Sequence, residues 1–232
     1  MKKMQMFLDD LIQTLKNPPT YLLVSFGLMF FIGVAAFFIG RKIEKMDVKE
    51  KPTKGITAVL EIVGGMNNFV KGYAGKHYTY ITPIVLTMAL YVFLSNISGV
   101  IALDTPTKYA TITFSMSITA FFVVQSTGLK SKGLIKHFKG LFEPLWPMFP
   151  LNIVSEFVPI LSMALRLFGN IAGGALIMTL LYGITGWAAV LITPAFHLIF
   201  DIGFGFIQTI VIVLLTIIFA SMKVDEADFD ID

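Results

Sequence analysis

The sequence predicts an all-α membrane protein with about five transmembrane helices and one surface amphipathic helix. Three observations predict it. Of 232 residues, 56% are hydrophobic and only 14% charged, where a soluble domain carries about a quarter charged residues. Long uncharged runs match the roughly 20 helical residues needed to cross about 30 Å of hydrocarbon. The remaining charges lie in short blocks between those runs, as membrane flanks do.

This composition excludes most soluble enzyme classes. With no cysteine there is no disulfide framework, thiolate nucleophile or cysteine metal site, and His77, His137 and His197 make no metal-ligand spacing, so neither metal nor cofactor is expected. The net charge of +3 does not point to nucleic acid, because the lysines flank apolar runs and face membrane lipid.

The first span is Tyr21 to Gly40. Lys2 and Lys3 resemble the start of a signal peptide, but Asp9 and Asp10 precede any apolar core and no small-residue cleavage site follows, so the span reads as uncleaved. Gly55 to Gly72 carries Ile56, Val59, Leu60, Val63 and Val70 at helical spacing, an amphipathic helix that either lies on the membrane surface or packs on other protein. Ile81 to Leu103 and Ala110 to Leu129 are the second and third spans. Leu145 to Thr185 and Trp187 to Met222 follow, separated by the glycine-containing break Gly183 to Gly186. Each is too long for one upright crossing: the first would reach roughly 60 Å as a helix. It is either two short spans with a hidden turn or one strongly tilted helix.

Arg41, Lys42, Lys45, Lys49, Lys51, Lys54, Lys71 and Lys76 place the first connection in the cytoplasm, and Lys130, Lys132, Lys136 and Lys139 do the same for the loop after the third span. Asp104 to Tyr109 and the Gly183 to Gly186 break, poor in basic residues, lie outside. With one crossing for each of the last two stretches, the N-terminus is outside. The chain then reads as a single integral membrane domain: an outside segment 1–20, helices and loops 21–222, and a cytoplasmic tail 223–232 bearing Asp225, Glu226, Asp228, Asp230 and Asp232.

Of the eighteen basic residues, only Arg166 interrupts an apolar run. Arginine at mid-bilayer costs about 2.5–3.5 kcal/mol on insertion scales, so it must face protein, water or a counter-charge. Glu156 on the same stretch and Asp201 on the next complete the intramembrane charges. Ser162, Arg166, Asn170, Gly173 and Gly174 fall on one helical stripe, and the small residues there, with Gly169, admit close approach of another helix. His197, Asp201, Gly205 and Gln208 form a second polar stripe. A lone histidine such as His197 is more often a satisfied hydrogen-bonding group than a working one. The order from cytoplasm to outside is carboxylate, permanently charged cation, carboxylate, which suggests two half-access paths with a barrier between them.

The run Ser162-Met-Ala-Leu-Arg166-Leu-Phe-Gly-Asn170, with Glu156 before it and Gln208 in Gly-Phe-Ile-Gln-Thr-Ile after it, closely resembles subunit a of bacterial F-type ATP synthases. Asn96 in Tyr-Val-Phe-Leu-Ser-Asn resembles the asparagine of the family's second span, and the likeness runs from about Pro52 to Met222. The resemblance implies that the last two stretches are long tilted helices forming a hairpin against a rotating c-subunit ring. It also implies a b-subunit peripheral stalk and the rest of the ATP synthase complex as partners, in a bacterial plasma membrane. Arg166 then resembles the stator arginine separating two offset half-channels. Asn170 and Gln208 resemble residues of the outer path, and Glu156 and Ser162 belong to the cytoplasmic path. Relatives often carry an acidic residue or histidine at the position of Ala175 and a complementary one at Asp201. Here only Asp201 remains, so the outer path depends on it with Asn170, His197 or water. Such a subunit moves protons and makes no covalent bond itself, so no residue is catalytic. The competing class is a small secondary transporter or channel in which Arg166 binds an anionic substrate, but no internal repeat supports it.

Overall fold

The computed structural model describes residues 18–46, 52–100, 105–140, 149–186 and 189–229, together with Lys16, Phe142 and Pro147. Within these ranges some side chains lie outside the description, among them those of Arg166, Asn170, Ala175, His197 and Asp201. Most of the expected outside segment 1–20, and Asp104, Asp230 and Asp232, also lie outside the described residues.

Among the described residues six helices follow in order: α1 Thr20–Glu44, α2 Lys54–Ala74, α3 Tyr78–Val100, α4 Ala110–Gly140, α5 Phe149–Thr185 and α6 Ala189–Ser221. Short 3-10 turns at Gly75–His77, Pro106–Lys108 and Glu226–Asp228 complete the described secondary structure. The molecule is an all-α, multi-pass membrane protein. Three described segments are long and apolar enough to cross a membrane: Thr20–Glu44, Lys54–Gly99 and Ala110–His137. Phe149–Val158 and Gly205–Ser221 add shorter apolar helices in α5 and α6.

The two long stretches are each one helix. No turn interrupts α5, whose 37 residues extend about 55 Å at 1.5 Å per residue. That is nearly twice the hydrocarbon thickness, so it crosses strongly tilted or protrudes. The third span departs from expectation at its end. Its helix continues past Leu129 and breaks at Gly133, where φ 73° and ψ 163° are open only to a residue without a Cβ.

Two apolar clusters hold the bundle together. Val70 and Ala74 of α2, Ile81 and Val85 of α3, Val123 and Val124 of α4, and Val213, Ile217 and Ala220 of α6 form the first. Ile32, Met88, Tyr91, Val92, Ile112, Ala120 and Ile212 form the second, joining α1, α3, α4 and α6. Among the described residues α5 contributes to neither. α2 is docked on protein through Ile56, Val70 and Ala74, while Ile62 and Phe69 on its other side stay exposed, as does Leu60 one turn from Ile56. Of the two expectations for this amphipathic helix, packing on other protein is the one its buried face meets.

α1 is attached lightly. Only Ser25 and Ile32 are buried; Ser25 Oγ and Tyr91 Oη share a hydrogen bond of 2.6 Å, and Tyr21 stacks on Tyr109 with centroids 3.8 Å apart. The start of α3, the far end of α4, the start of α5 and the end of α6 meet at one end of the bundle, joined through Lys76, Ser131, Glu156, Lys223 and Asp228.

Candidate functional site

The α5 stripe follows from helix geometry. At about 100° per residue, positions 162, 169, 173, 177 and 180 fall within about 60° of position 166. Ser162 is half-buried and Gly169 exposed, and Ile177 and Leu180 are 43% and 64% exposed. A Cβ added at Gly169, Gly173 or Gly174 would meet nothing within 4 Å among the described residues. The stripe carrying position 166 is thus left uncovered by the described parts of its own chain, and its glycines allow another helix backbone to approach.

Ten residues earlier, about 15 Å along the helix, Glu156 sits at the lysine-rich end. Its side chain is 18% exposed, and both carboxylate oxygens are occupied. Gln125 Nε2 donates to Oε2 at 2.6 Å, and Lys223 Nζ donates to Oε1. The Gln125 amide in turn has its Oε1 2.8 Å from His137 Nε2, which makes that ring nitrogen the donor. Phe121 stacks on Phe157 beside this group, with centroids 5.6 Å apart. Between α4, α5 and α6 lies a cleft of about 290 Å³, lined by Ser117, Phe121, Ser155, Glu156, Thr216 and Lys223 among others.

Toward the opposite end, α3 and α6 come into direct contact. A Cβ at Gly205 would stand 2.5 Å from Asn96 Cβ and 2.9 Å from its Cγ, so glycine is what permits this approach. Asn96 Nδ2 donates to its own helix at Val92 O, 2.8 Å, and its Oδ1 accepts from Thr107 Oγ1 at 3.1 Å. The Thr107 amide donates to Ser95 Oγ at 3.3 Å. Gln208 is buried, 3% exposed, and with Thr107, Thr113 and Ser117 it borders a void of about 10 Å³, the scale of a single water. Ser117 faces both this void and the larger cleft.

Of the residues singled out in the sequence, Glu156, Ser162 and the backbones of Arg166 and Asn170 lie on α5, and Gln208 and the backbones of His197 and Asp201 lie on α6. Sequence reasoning did not pick out Gln125, His137 or Lys223 as partners of Glu156. Gln125 carried a signal, being the only amide side chain in the run Ala110 to Leu129. His137 carried none, because only the Gly133 break brings it back: in a straight helix it would lie about 18 Å from Gln125.

The acidic tail is also more than a solvated end. Asp228 is 4% exposed; its carboxylate meets Lys76 Nζ at 2.5 Å, His77 Nε2 at 3.0 Å and the Ser131 hydroxyl. Burial alone would raise its pKa, but the hydrogen bonds from Lys76, Ser131 and His77 outweigh it and hold the carboxyl well below the usual range.

Comparison with known proteins bears on what these features serve. The sequence model of the family described as ATP synthase A chain matches residues 22–221. A protein of Mycoplasmoides gallisepticum strain R, named ATP synthase subunit a, is 27% identical over 239 aligned residues, covering 91% of this chain and 80% of that protein. Its namesake in Staphylococcus aureus strain JH9 is 28% identical over 214 residues, covering 85% of this chain and 88% of that protein.

Proposed function

The chain belongs to the ATP synthase A chain family, and from that premise we propose that it is the stator subunit of the ATP synthase membrane sector, providing two offset half-channels to a rotating c-subunit ring. The observation that carries the reading is the uncovered α5 stripe: position 166 lies on a helix face whose Gly169, Ile177 and Leu180 are exposed. That face is where the ring would run. The b-subunit stalk and the soluble sector would hold the subunit against it.

In this reading a proton enters one half-path, neutralises a ring carboxylate, travels with the ring and leaves by the other path. Arg166 favours the ionised ring carboxylate beside it and so promotes release of the proton before the carboxylate moves on. Its guanidinium stays protonated at any cellular pH and cannot hand a proton between the paths, whereas a desolvated lysine can. Glu156 and Ser162 serve the cytoplasmic path. Asn170, Gln208 and Asp201, with His197 near the outer end, serve the outside path, where Asp201 acts without the partner that relatives place at the position of Ala175. The N-terminus lies outside and the tail in the cytoplasm, and residues 1–232 form one membrane domain. One elementary charge moved through 100 mV is worth about 2.3 kcal/mol, so several protons must add up for each ATP and leaks are costly.

The test is Arg166→Ala in the whole complex. ATP synthesis and ATP-driven proton pumping are expected to be lost while the complex still assembles. Normal coupled pumping would overturn the reading. Purification in mild detergent separates it from an anion transporter, because only the stator reading expects a ring of small hairpin proteins and a nucleotide-hydrolysing sector to copurify.

A further inference from the structure

Glu156 is held more elaborately than a path-lining carboxylate requires. Three elements converge on it: α4 with Gln125 and, after the Gly133 break, His137; α5 with Glu156 itself; and the residues just past α6 with Lys223. The arrangement depends on backbone that only glycine supplies. Gly133 turns the last part of α4 back on itself, and a Cβ at Gly128 would stand 2.7 Å from the His137 ring, so the ring occupies the space that Gly128 leaves.

The chemistry of the donors gives the arrangement a direction. An ammonium offers donors and no acceptor, so Lys223 occupies Oε1 without being able to take a proton from it. Gln125 occupies Oε2 with its N–H₂ group, and that orientation is fixed by His137 at the amide oxygen. A carboxylate has about four acceptor sites, and those left free are reached from the cleft that Glu156 lines, which is roomy enough for water. Side chains held from both sides lose little further freedom when they act.

We propose that Lys223 is the positioning residue of the cytoplasmic path: it pins the Glu156 carboxylate at the mouth of the cleft between α4, α5 and α6, with Gln125 and His137 as the second arm, so that protons reach Glu156 only through the cleft. The proposal rests on the reading of Glu156 as part of that path. Lys223 touches no ring carboxylate and acts only through Glu156.

The experiment measures ATP-driven proton pumping in inverted membrane vesicles carrying the assembled complex, with assembly checked by copurification. Lys223→Met is expected to slow pumping by roughly threefold or more, the scale of coupling within one ion-pair network. Lys223→Arg, which keeps a cation there, is expected to restore most of the rate. In a Glu156→Gln background, Lys223→Met should have no further effect, since the group it positions is already gone. Equal slowing by Lys223→Met in both backgrounds, or none in the native one, overturns the proposal while leaving Glu156 in the path. Should Glu156→Gln alone leave pumping unchanged, Glu156 is out of the path and the proposal falls with it. Gln125→Met tests the second arm and is expected to slow pumping in the same background-dependent way.

Discussion

Gly205→Ala probes the closest approach between α3 and α6. The added Cβ would lie 2.5 Å from Asn96 Cβ, about 1 Å inside an ordinary carbon contact of roughly 3.5 Å. The obstructing atom is fixed to the α3 backbone and cannot swing aside, so the two helices must part. Overpacking of this kind costs about 1–3 kcal/mol. Alanine also raises helix propensity by about 1 kcal/mol, so the useful quantity is the difference from a control. Gly203 supplies one: two residues away on α6, its added Cβ meets nothing within 4 Å among the described residues. Thermal unfolding of the detergent-purified complex should place Gly205→Ala below Gly203→Ala. Pumping should fall in the same order, because a misplacement of about 1 Å in a functional constellation costs up to 10²-fold. If the two alanine variants unfold and pump alike, the α3–α6 approach has no part in stability or in the outer path.

Arg166→Lys should be a poor substitute, giving pumping well below wild type in vesicle assays; full coupling with lysine would remove the argument from permanent charge. Asp201→Asn should slow proton access from outside and leave assembly intact, and proton flux unchanged across the physiological pH range would take Asp201 off the path. Asp228→Ala should loosen the tail from the α3 and α4 ends and cost about 1–3 kcal/mol, the penalty for leaving the buried His77 donor without its acceptor. Limited proteolysis of inverted vesicles should cut that variant faster near its C-terminus, and wild-type resistance would refute the clasp. The pH dependence has a definite sign. Because the Asp228 carboxyl is depressed in the folded state, the stability it contributes is present above its unfolded pKa near 4. It is lost as pH falls below that value, so the tail should stay resistant at neutral pH and open in strong acid.

The membrane character, the order of the helices and where they begin, within a few residues, follow from hydropathy and charge blocks alone. Thr20–Glu44, Tyr78–Val100 and Ala110–Gly140 begin within three residues of the expected spans, because lipid demands about 20 apolar residues whichever neighbours they find. Arg166 stands out for the same reason: a charge inside hydrocarbon is costly wherever the helix packs. The partners of Glu156 were not legible. Gln125 and Glu156 lie 31 residues apart, and Glu156 and Lys223 lie 67 apart, so their contact depends on how three helices dock. The depth of Asp228 is hidden similarly, since five acidic residues after Lys223 read as a solvated tail until Lys76, His77 and Ser131 are brought to it.

The linear chain therefore decides which segments enter the bilayer and which residue types are out of place there, since transfer free energy is a local property of each segment. The folded chain decides which of those residues meet. It folds α4 back at Gly133, closes Lys223 onto Glu156, presses Asn96 against Gly205 and, among the described residues, leaves the α5 stripe open. Contacts between side chains distant in sequence are set by packing shape and by the backbone conformations that glycine permits, and neither is written in hydropathy.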